Sequence, residues 1–394
     1  MGGRFPNVEC LRMKILLVSS GSGSRGGGEI FLSYLAQGLV KRGHEVLLWM
    51  PLHPRMDELA EKCSHFARVI RANYRNTYDY LGRSLSTRFN WLTSRRIAEE
   101  WKGLDPDIIH LNKQNLEDGL DLLRAARHCA MPSICTIHLT QNARYLGAKA
   151  ARLRNWIARN ALCKYGGTIV AVQETRRAAL EEFVGRCART HAIFNGVPLP
   201  DSGELRSLRE AKRLELGLNN DGLLVLGLGR LVEQKRPWVF LELARKLNGR
   251  LAMAKFLWVG DGKFSQQWDE WVARERLGGV ILRVGWQSEV LPFLAAGDLL
   301  LHVAEYEGLP LAIIEAMAAN VPCAVTRDLA SEVPLFDESN VLFVDDVVTF
   351  AARLRDSTAL TSIASNAYRL VKEKFSLQSM TASYENLYSD IARK

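Results

Sequence analysis

Glu307 and Glu315 stand with seven residues between them in the run Glu305-Tyr306-Glu307-Gly308-Leu309-Pro310-Leu311-Ala312-Ile313-Ile314-Glu315. Gly308 and Pro310 mark a turn. The apolar stretch that follows reads as a helix in which Glu315 is the only charge before Asn320. A helix so apolar is expected to be buried on most sides, and a buried carboxylate needs a donor to offset its lost hydration. Sugar and ribose hydroxyls are natural donors to such acceptors, while the amides of a helix start favour an anion beside them. A helix whose single polar position faces water would give the same pattern.

Other residues are expected to converge on the same place. In Gly227-Leu228-Gly229-Arg230-Leu231-Val232-Glu233-Gln234-Lys235-Arg236, the basic residues follow an apolar run. Arg230 and Lys235 would emerge at a strand's carboxyl end, where two cations can hold a diphosphate and offset charge on a departing phosphate. Arg236 reads as a solvated loop residue. Val259-Gly260-Asp261-Gly262 repeats the theme of a strand followed by glycine at the next crossover. His138 ends the apolar run 134–138 and should reach the cleft, although a lone strand-end histidine is more often structural. His44 reads as a structural turn residue. Residues 21–28 form a glycine-rich loop containing Gly27 and Gly28, which could let the backbone approach a ligand or simply make a tight turn. It is neither a P-loop nor a dinucleotide fingerprint, and no acidic residue closes the next strand to hold an NAD ribose.

Elements must position these groups. At 394 residues the chain is long enough for two domains, and its 47 % hydrophobic and 24 % charged content is that of a globular protein. No run approaches the roughly 20 apolar residues of a membrane span. Residues 1–12 are excluded from the fold as an extension. Strand and helix patterns then alternate, predicting a doubly wound α/β architecture. Strands are expected at 14–19, 45–49, 108–111, 133–138, 168–172 and 191–194, then at 223–228, 256–259, 280–284, 299–302, 323–326 and 341–343. Helices are expected at 29–42, 205–216 and 377–393. The turn at 195–200 divides a first domain, 13–200, from a second, 201–376. The final segment, 377–394, is expected to pack back on the first domain. Ligands of such folds bind at the carboxyl ends of the strands, in the cleft between the halves.

Seven cysteines, an odd number with no close pair, argue against a disulfide framework or zinc site and for a reducing, cytoplasmic setting. The net charge of +9 calls for an acidic partner. Basic and aromatic residues mix at 71–101 and 152–164, which suits a peripheral surface on anionic lipid as well as ordinary amphipathic packing. No nucleic-acid motif accompanies the charge, and no nucleic-acid partner is expected.

Taken in order, Gly26-Gly27-Gly28-Glu29, Lys41-Arg42-Gly43-His44-Glu45-Val46, the strand ending in His138, Ile169-Val170-Ala171-Val172-Gln173-Glu174, Asn195-Gly196-Val197, Gly229-Arg230-Leu231 with Lys235, and the Glu307/Glu315 pair resemble the retaining family 4 glycosyltransferases. The resemblance spans residues 13–394 and implies the GT-B fold: two Rossmann-like domains facing an interdomain cleft. It implies a nucleotide diphosphate sugar (UDP- or GDP-linked) as donor, a saccharide or lipid-linked acceptor, and no obligatory cofactor or metal. By the same resemblance Arg230 and Lys235 bind the diphosphate and Glu315 the ribose. Glu307 and the backbone of Gly308, Leu309 and Leu311 hold the transferred sugar, with His138 beside it and Gly27 near the phosphates. Catalysis would fall to Glu307, His138, Arg230 and Lys235, without a covalent enzyme intermediate. An epimerase or hydrolase of the same fold is the alternative within enzymes. Three positions depart from the family pattern: Ala304 for Ser, and Asn320 and Asn340 for Gly. Asn tolerates the left-handed conformation needed at 320.

Overall fold

A computed structural model describes residues 12–21, 26–80, 83–88, 90–218, 222–251 and 253–393. The proposed extension, save Arg12, and residues 22–25 of the glycine-rich loop lie outside the described residues. The first seven strands are β1 (Lys14–Ser19), β2 (Glu45–Pro51), β3 (Arg68–Ala72), β4 (Ile108–Asn115), β5 (Ser133–Leu139), β6 (Thr168–Ala171) and β7 (Arg189–Ala192). They form one sheet in the order β3-β2-β1-β4-β5-β6-β7, every pair parallel. A second parallel sheet follows, from β8 (Leu224–Leu228), β9 (Lys255–Val259), β10 (Ile281–Val284), β11 (Leu299–His302), β12 (Cys323–Val325) and β13 (Leu342–Phe343), in the order β10-β9-β8-β11-β12-β13. These are the two Rossmann-like units the alternating pattern predicts.

Parallel strands covered by helices on both faces read as continuous apolar runs, because neither face meets water. Ile15, Leu16, Leu17 and Val18 of β1 are accordingly all fully buried. Strand β3 breaks that rule and is absent from the sequence reading. It lies at the sheet edge with Arg68 exposed and three further residues only half buried, so Arg-Val-Ile-Arg-Ala shows no apolar run. Strand β7, at the other edge, sits two residues earlier than expected.

The first helix runs Gly27–Lys41 rather than starting at residue 29, so Gly27 and Gly28 belong to its first turn, not to a loop. Glycine costs little there because first-turn amides have no intrahelical partner. A Cβ on Gly28 would meet the tip of the Gln114 side chain, which would have to move aside.

The last helix, Leu377–Ala392, crosses back to the first sheet. A bridge between Val197 and Ser376 brings the two interdomain passages of the chain side by side. The helix lies against Gly27–Lys41 so closely that a Cβ on Gly38 would strike Thr381. Its polar side chains serve the first sheet. The His110 ring bonds Tyr388 Oη through Nδ1 at 2.6 Å and Thr136 Oγ1 through Nε2 at 2.8 Å, and Tyr384 Oη meets Thr136 Oγ1 at 2.8 Å. Glu385 accepts from Arg42 Nε at 2.6 Å and from His44 Nε2 at 2.9 Å. His44 Nδ1 accepts from the Met13 amide, so this histidine is structural, as its turn context suggests.

Cys163 and Cys187 are disulfide-bonded, with Cα atoms 5.1 Å apart. This corrects the cysteine reading by one bridge. With 24 residues of sequence separation, no local spacing marks the pair.

Candidate active site

A cavity of about 620 Å³ opens between the two sheets. Gly27, Gly28, His138, Arg230, Lys235, Gly260, Glu307, Gly308, Leu309, Leu311 and Glu315 all line it, so the residues expected at the donor site converge on one cleft.

Glu307 is buried in the loop between β11 and the helix Leu311–Ala318. Its carboxylate is paired with Lys235 Nζ and lies 3.1 Å from His302 Nε2. Burial alone would raise its pKa, but the Lys235 charge and the bonds from His302 and Lys235 outweigh that and hold it at about 2. Glu307 is therefore a fixed anion. Its own amide donates to Glu332 Oε2 at 3.1 Å, and Glu332 is in turn held by Arg176 at 3.0 Å across the cleft.

Beside it, Gly308 is pressed against the first domain. A Cβ there would strike the His138 carbonyl, and Gln173 Nε2 donates to the Gly308 carbonyl. Among the described residues, the amides of Gly308, Leu309 and Leu311 donate to no protein acceptor. These residues line the cavity at the start of an apolar helix, where an anion gains both hydrogen bonds and the favourable end of the helix dipole. Gly27 completes this corner, its α-carbon close enough to Leu311 that a Cβ would lie 3.3 Å from Leu311 Cδ1.

Two loops carry the cations. Gly229 and Gly260 end β8 and β9 with φ of 145° and 136°, and a Cβ on Gly260 would strike the Gly229 carbonyl. Only glycine allows this packing, which sends Arg230 and Lys235 into the cavity. Arg230 is exposed there and makes no ion pair among the described residues. Arg236 turns away in a left-handed conformation, φ 46°, and sits 3.6 Å from Glu305.

Glu315 points across the cleft and accepts a 2.8 Å hydrogen bond from Tyr34 of the helix Gly27–Lys41. The carboxylate thus has the partner its apolar helix demands, supplied by the other domain. Burial raises its pKa to about 7, against the Tyr34 bond and the Lys62 charge. His138 is buried, with Nε2 2.8 Å from Asn112 Oδ1, and burial lowers its pKa to about 4. It is thus a neutral ring near pH 7.

Sequence reasoning missed several contributors. His302 ends an apolar strand just as His138 does, a signal left unused. Tyr34, Gln173, Arg176 and Glu332 act across the cleft, where sequence separation hides the contact. Glu29, read only as part of a motif, is buried and lines the cavity, with its pKa raised by burial to about 8. The aromatic-basic segments divide. Tyr74 and Trp101 are core residues packed on Trp49, and Arg154 is buried against Glu117, so these leave the surface patch. Trp91, Leu153 and Trp156 stay 48 %, 46 % and 60 % exposed. Phe89 lies outside the described residues. Asn320 adopts the left-handed conformation, φ 57°, and closes its helix as expected.

A family model described as Glycosyltransferase Family 4 matches residues 25–200, and one described as Glycosyl transferases group 1 matches residues 222–358. The chain is similar to the Escherichia coli UDP-Gal:alpha-D-GlcNAc-diphosphoundecaprenol alpha-1,3-galactosyltransferase, 23 % identical over 301 residues covering 72 % of this chain and 76 % of that one. It is 22 % identical over 380 residues to the alpha-monoglucosyldiacylglycerol synthase of Acholeplasma laidlawii, covering 91 % and 92 % of the two chains. Among solved structures, Anabaena HepE in complex with UDP-glucose superposes with a TM-score of 0.76 at 19 % identity, covering 96 % of this chain and all of that one. The protein belongs to the family 4 glycosyltransferases and has their GT-B fold.

Proposed function

We propose that the protein is a retaining hexosyltransferase that uses a UDP-linked sugar and glycosylates a hydroxyl of a lipid-linked or polysaccharide precursor at the cytoplasmic face of a membrane. The observation that carries this is the cluster of Arg230, Lys235 and the unpaired amides of 308, 309 and 311 around one cavity, flanked by Glu307 and Glu315. The cations would receive the diphosphate and the amides the sugar-phosphate junction, with Glu307 on the sugar hydroxyls and Glu315 on the ribose. UDP is preferred over GDP because HepE is described in complex with UDP-glucose. A lipid-linked acceptor is suggested by the lipid acceptor named for the Escherichia coli relative and the glycolipid product named for the Acholeplasma one. Among the described residues no helix is long and apolar enough to cross a membrane, so contact with a bilayer would be peripheral.

In this reading the acceptor hydroxyl attacks the anomeric carbon on the face that the nucleotide diphosphate leaves, and the departing phosphate takes the acceptor's proton. Glu307 is pinned by Lys235 and His302, which suits an orienting anion rather than an attacking nucleophile. Arg230 and Lys235 offset the charge that grows on the leaving oxygen.

Thermal unfolding with UDP, GDP and ADP tests the donor base. A ligand at a hundred times its Kd adds about 2.7 kcal/mol, so UDP should raise the midpoint most. Equal shifts for all three would remove the uridine assignment. The anomeric configuration of the product, read by NMR against that of the donor, tests retention; an inverted product would overturn it.

Glu315 gives the site a pH signature. Its carboxylate accepts ribose hydroxyls best when ionised, and burial lifts its pKa to about 7. UDP affinity should therefore rise from pH 6 to pH 8, and Glu315→Gln should flatten the dependence while weakening binding. A dependence unchanged in the variant would separate Glu315 from the ribose.

A further inference from the structure

The face of the first sheet opposite the C-terminal helix carries a second cavity, of about 320 Å³, between the helices Leu120–Cys129 and Ala151–Tyr165 and the turn Arg83–Arg88. Three features set it apart from an ordinary surface cleft.

The first is apolar exposure. Leu85, Leu153 and Trp156 line the groove yet remain 42 %, 46 % and 60 % exposed. Large apolar side chains gain from leaving water, and these three are each still about half exposed, so a groove that presents them together favours an apolar occupant. The second is a stranded hydroxyl. Thr87 is buried in the groove wall, and its Oγ1 has no hydrogen-bond partner among the described residues. A buried polar atom of this kind is satisfied when something with an oxygen enters. The third is charge. Arg124, Arg127 and Lys164 line the same groove, and none has an ion-pair partner among the described residues. The local field is positive: the pKa of His128 is lowered, first by burial and then by Arg127, Arg95, Arg124 and Lys102. Arg95 extends the patch by lying 4.9 Å from the centre of the exposed Trp91 ring.

A hydrocarbon chain, ester oxygens and a phosphate in one molecule would meet all three features. A free phosphate or soluble sugar phosphate would leave Leu153 and Trp156 in water, and a polynucleotide, though its bases stack on tryptophan, brings no aliphatic chain to cover Leu85 and Leu153. We propose that this groove is a binding site for an anionic phospholipid of the bilayer. An acyl chain lies along Leu85, Leu153 and Trp156, the ester region meets Thr87, and the headgroup phosphate sits among Arg124, Arg127 and Lys164. The site rests on the peripheral-membrane part of the function proposed above and assigns it to one groove, away from the donor cleft.

Flotation with vesicles of phosphatidylglycerol or of phosphatidylcholine tests both levels. The full chain should float with phosphatidylglycerol and not with phosphatidylcholine, and added salt should weaken the binding. The triple variant Arg124→Gln, Arg127→Gln, Lys164→Gln should lose roughly a hundredfold in partitioning, since each cation near an anionic surface contributes about one factor of five. A control with the same charge change on the second domain, Arg369→Gln, Lys372→Gln, Lys374→Gln, should float like the parent. Trp156→Ala, at an exposed site where folding is not at stake, should weaken binding without changing its salt dependence. If the unmodified chain fails to float with phosphatidylglycerol, the membrane reading itself falls. If it floats and the two triple variants lose binding equally, adsorption follows net charge and the groove is overturned. Equal flotation with both lipids would overturn the phosphate contact, and undiminished binding by Trp156→Ala would overturn the acyl contact.

Discussion

Lys235→Ala should lower kcat by about a hundredfold with a smaller change in donor KM. The growing charge on the leaving phosphate is met more strongly in the transition state than in the ground state, and removing one such preorganised donor commonly costs on the order of 3 kcal/mol. The same substitution strips Glu307 of its ion pair, leaving His302 as the neighbour that still restrains the buried carboxylate. The pKa of Glu307 should then climb from about 2 toward the range where burial dominates. At saturating donor, where the Glu315 effect on binding drops out, turnover of the variant should consequently fall further at acid pH, a limb absent from the kcat of the parent. Arg236→Ala supplies the contrast. Arg236 faces away from the cavity, and its pair with the half-exposed Glu305 is worth roughly 0–1 kcal/mol, so its loss should leave turnover near normal. Steady-state kinetics on folded variants decide the matter. Unchanged kcat in Lys235→Ala would remove this lysine from the transition state.

Glu385→Ala should destabilise the protein by about 3 kcal/mol, although Glu385 is remote from the cleft's chemistry. Its carboxylate is buried between Arg42 and His44 and ties the last helix to the first sheet. Removing one member of a buried charged cluster leaves its partners without compensation, commonly at 3–5 kcal/mol; Arg42 retains 42 % side-chain exposure and can recover some hydration, which places the estimate at the low end. Urea unfolding at fixed pH measures the loss. Hydrogen exchange should show the helix Leu377–Ala392 opening before either sheet. An undiminished midpoint would mean that apolar packing of Leu377, Met380 and Leu387 holds the helix alone.

How much of this was legible in the sequence depended on where each residue lies. Strands β1 and β11 match their predicted bounds because continuous apolar runs leave no choice of register, whereas β3 was invisible because an edge strand needs no such run. In the cleft, Arg230, Lys235, Glu307 and His138 were legible because strand ends and glycine turns fix direction. Arg154 shows the opposite case: a basic residue between Leu153 and Trp156 looks like surface until its partner Glu117, 37 positions away, is known. Tyr34 is separated from Glu315 by 281 residues, and a single sequence without relatives carries no signal at that range.

The return of the final helix also bears on the order in which the chain can mature. The first sheet is complete by Ala192 and already holds the His110–Thr136 bond, yet His110 Nδ1 and Thr136 Oγ1 gain their further bonds only with Tyr388 and Tyr384, which are made after the whole second sheet. Until then a nascent first domain lacks the two tyrosine hydroxyls beside this pair and has an uncovered apolar face on the helix Gly27–Lys41. The second domain, its passages joined at Val197 and Ser376, can close its own sheet meanwhile. Vectorial synthesis thus favours a sequence of events in which the later domain is finished first and the earlier one last, with its unfinished face exposed to chaperones for the time needed to translate the second sheet and its helices.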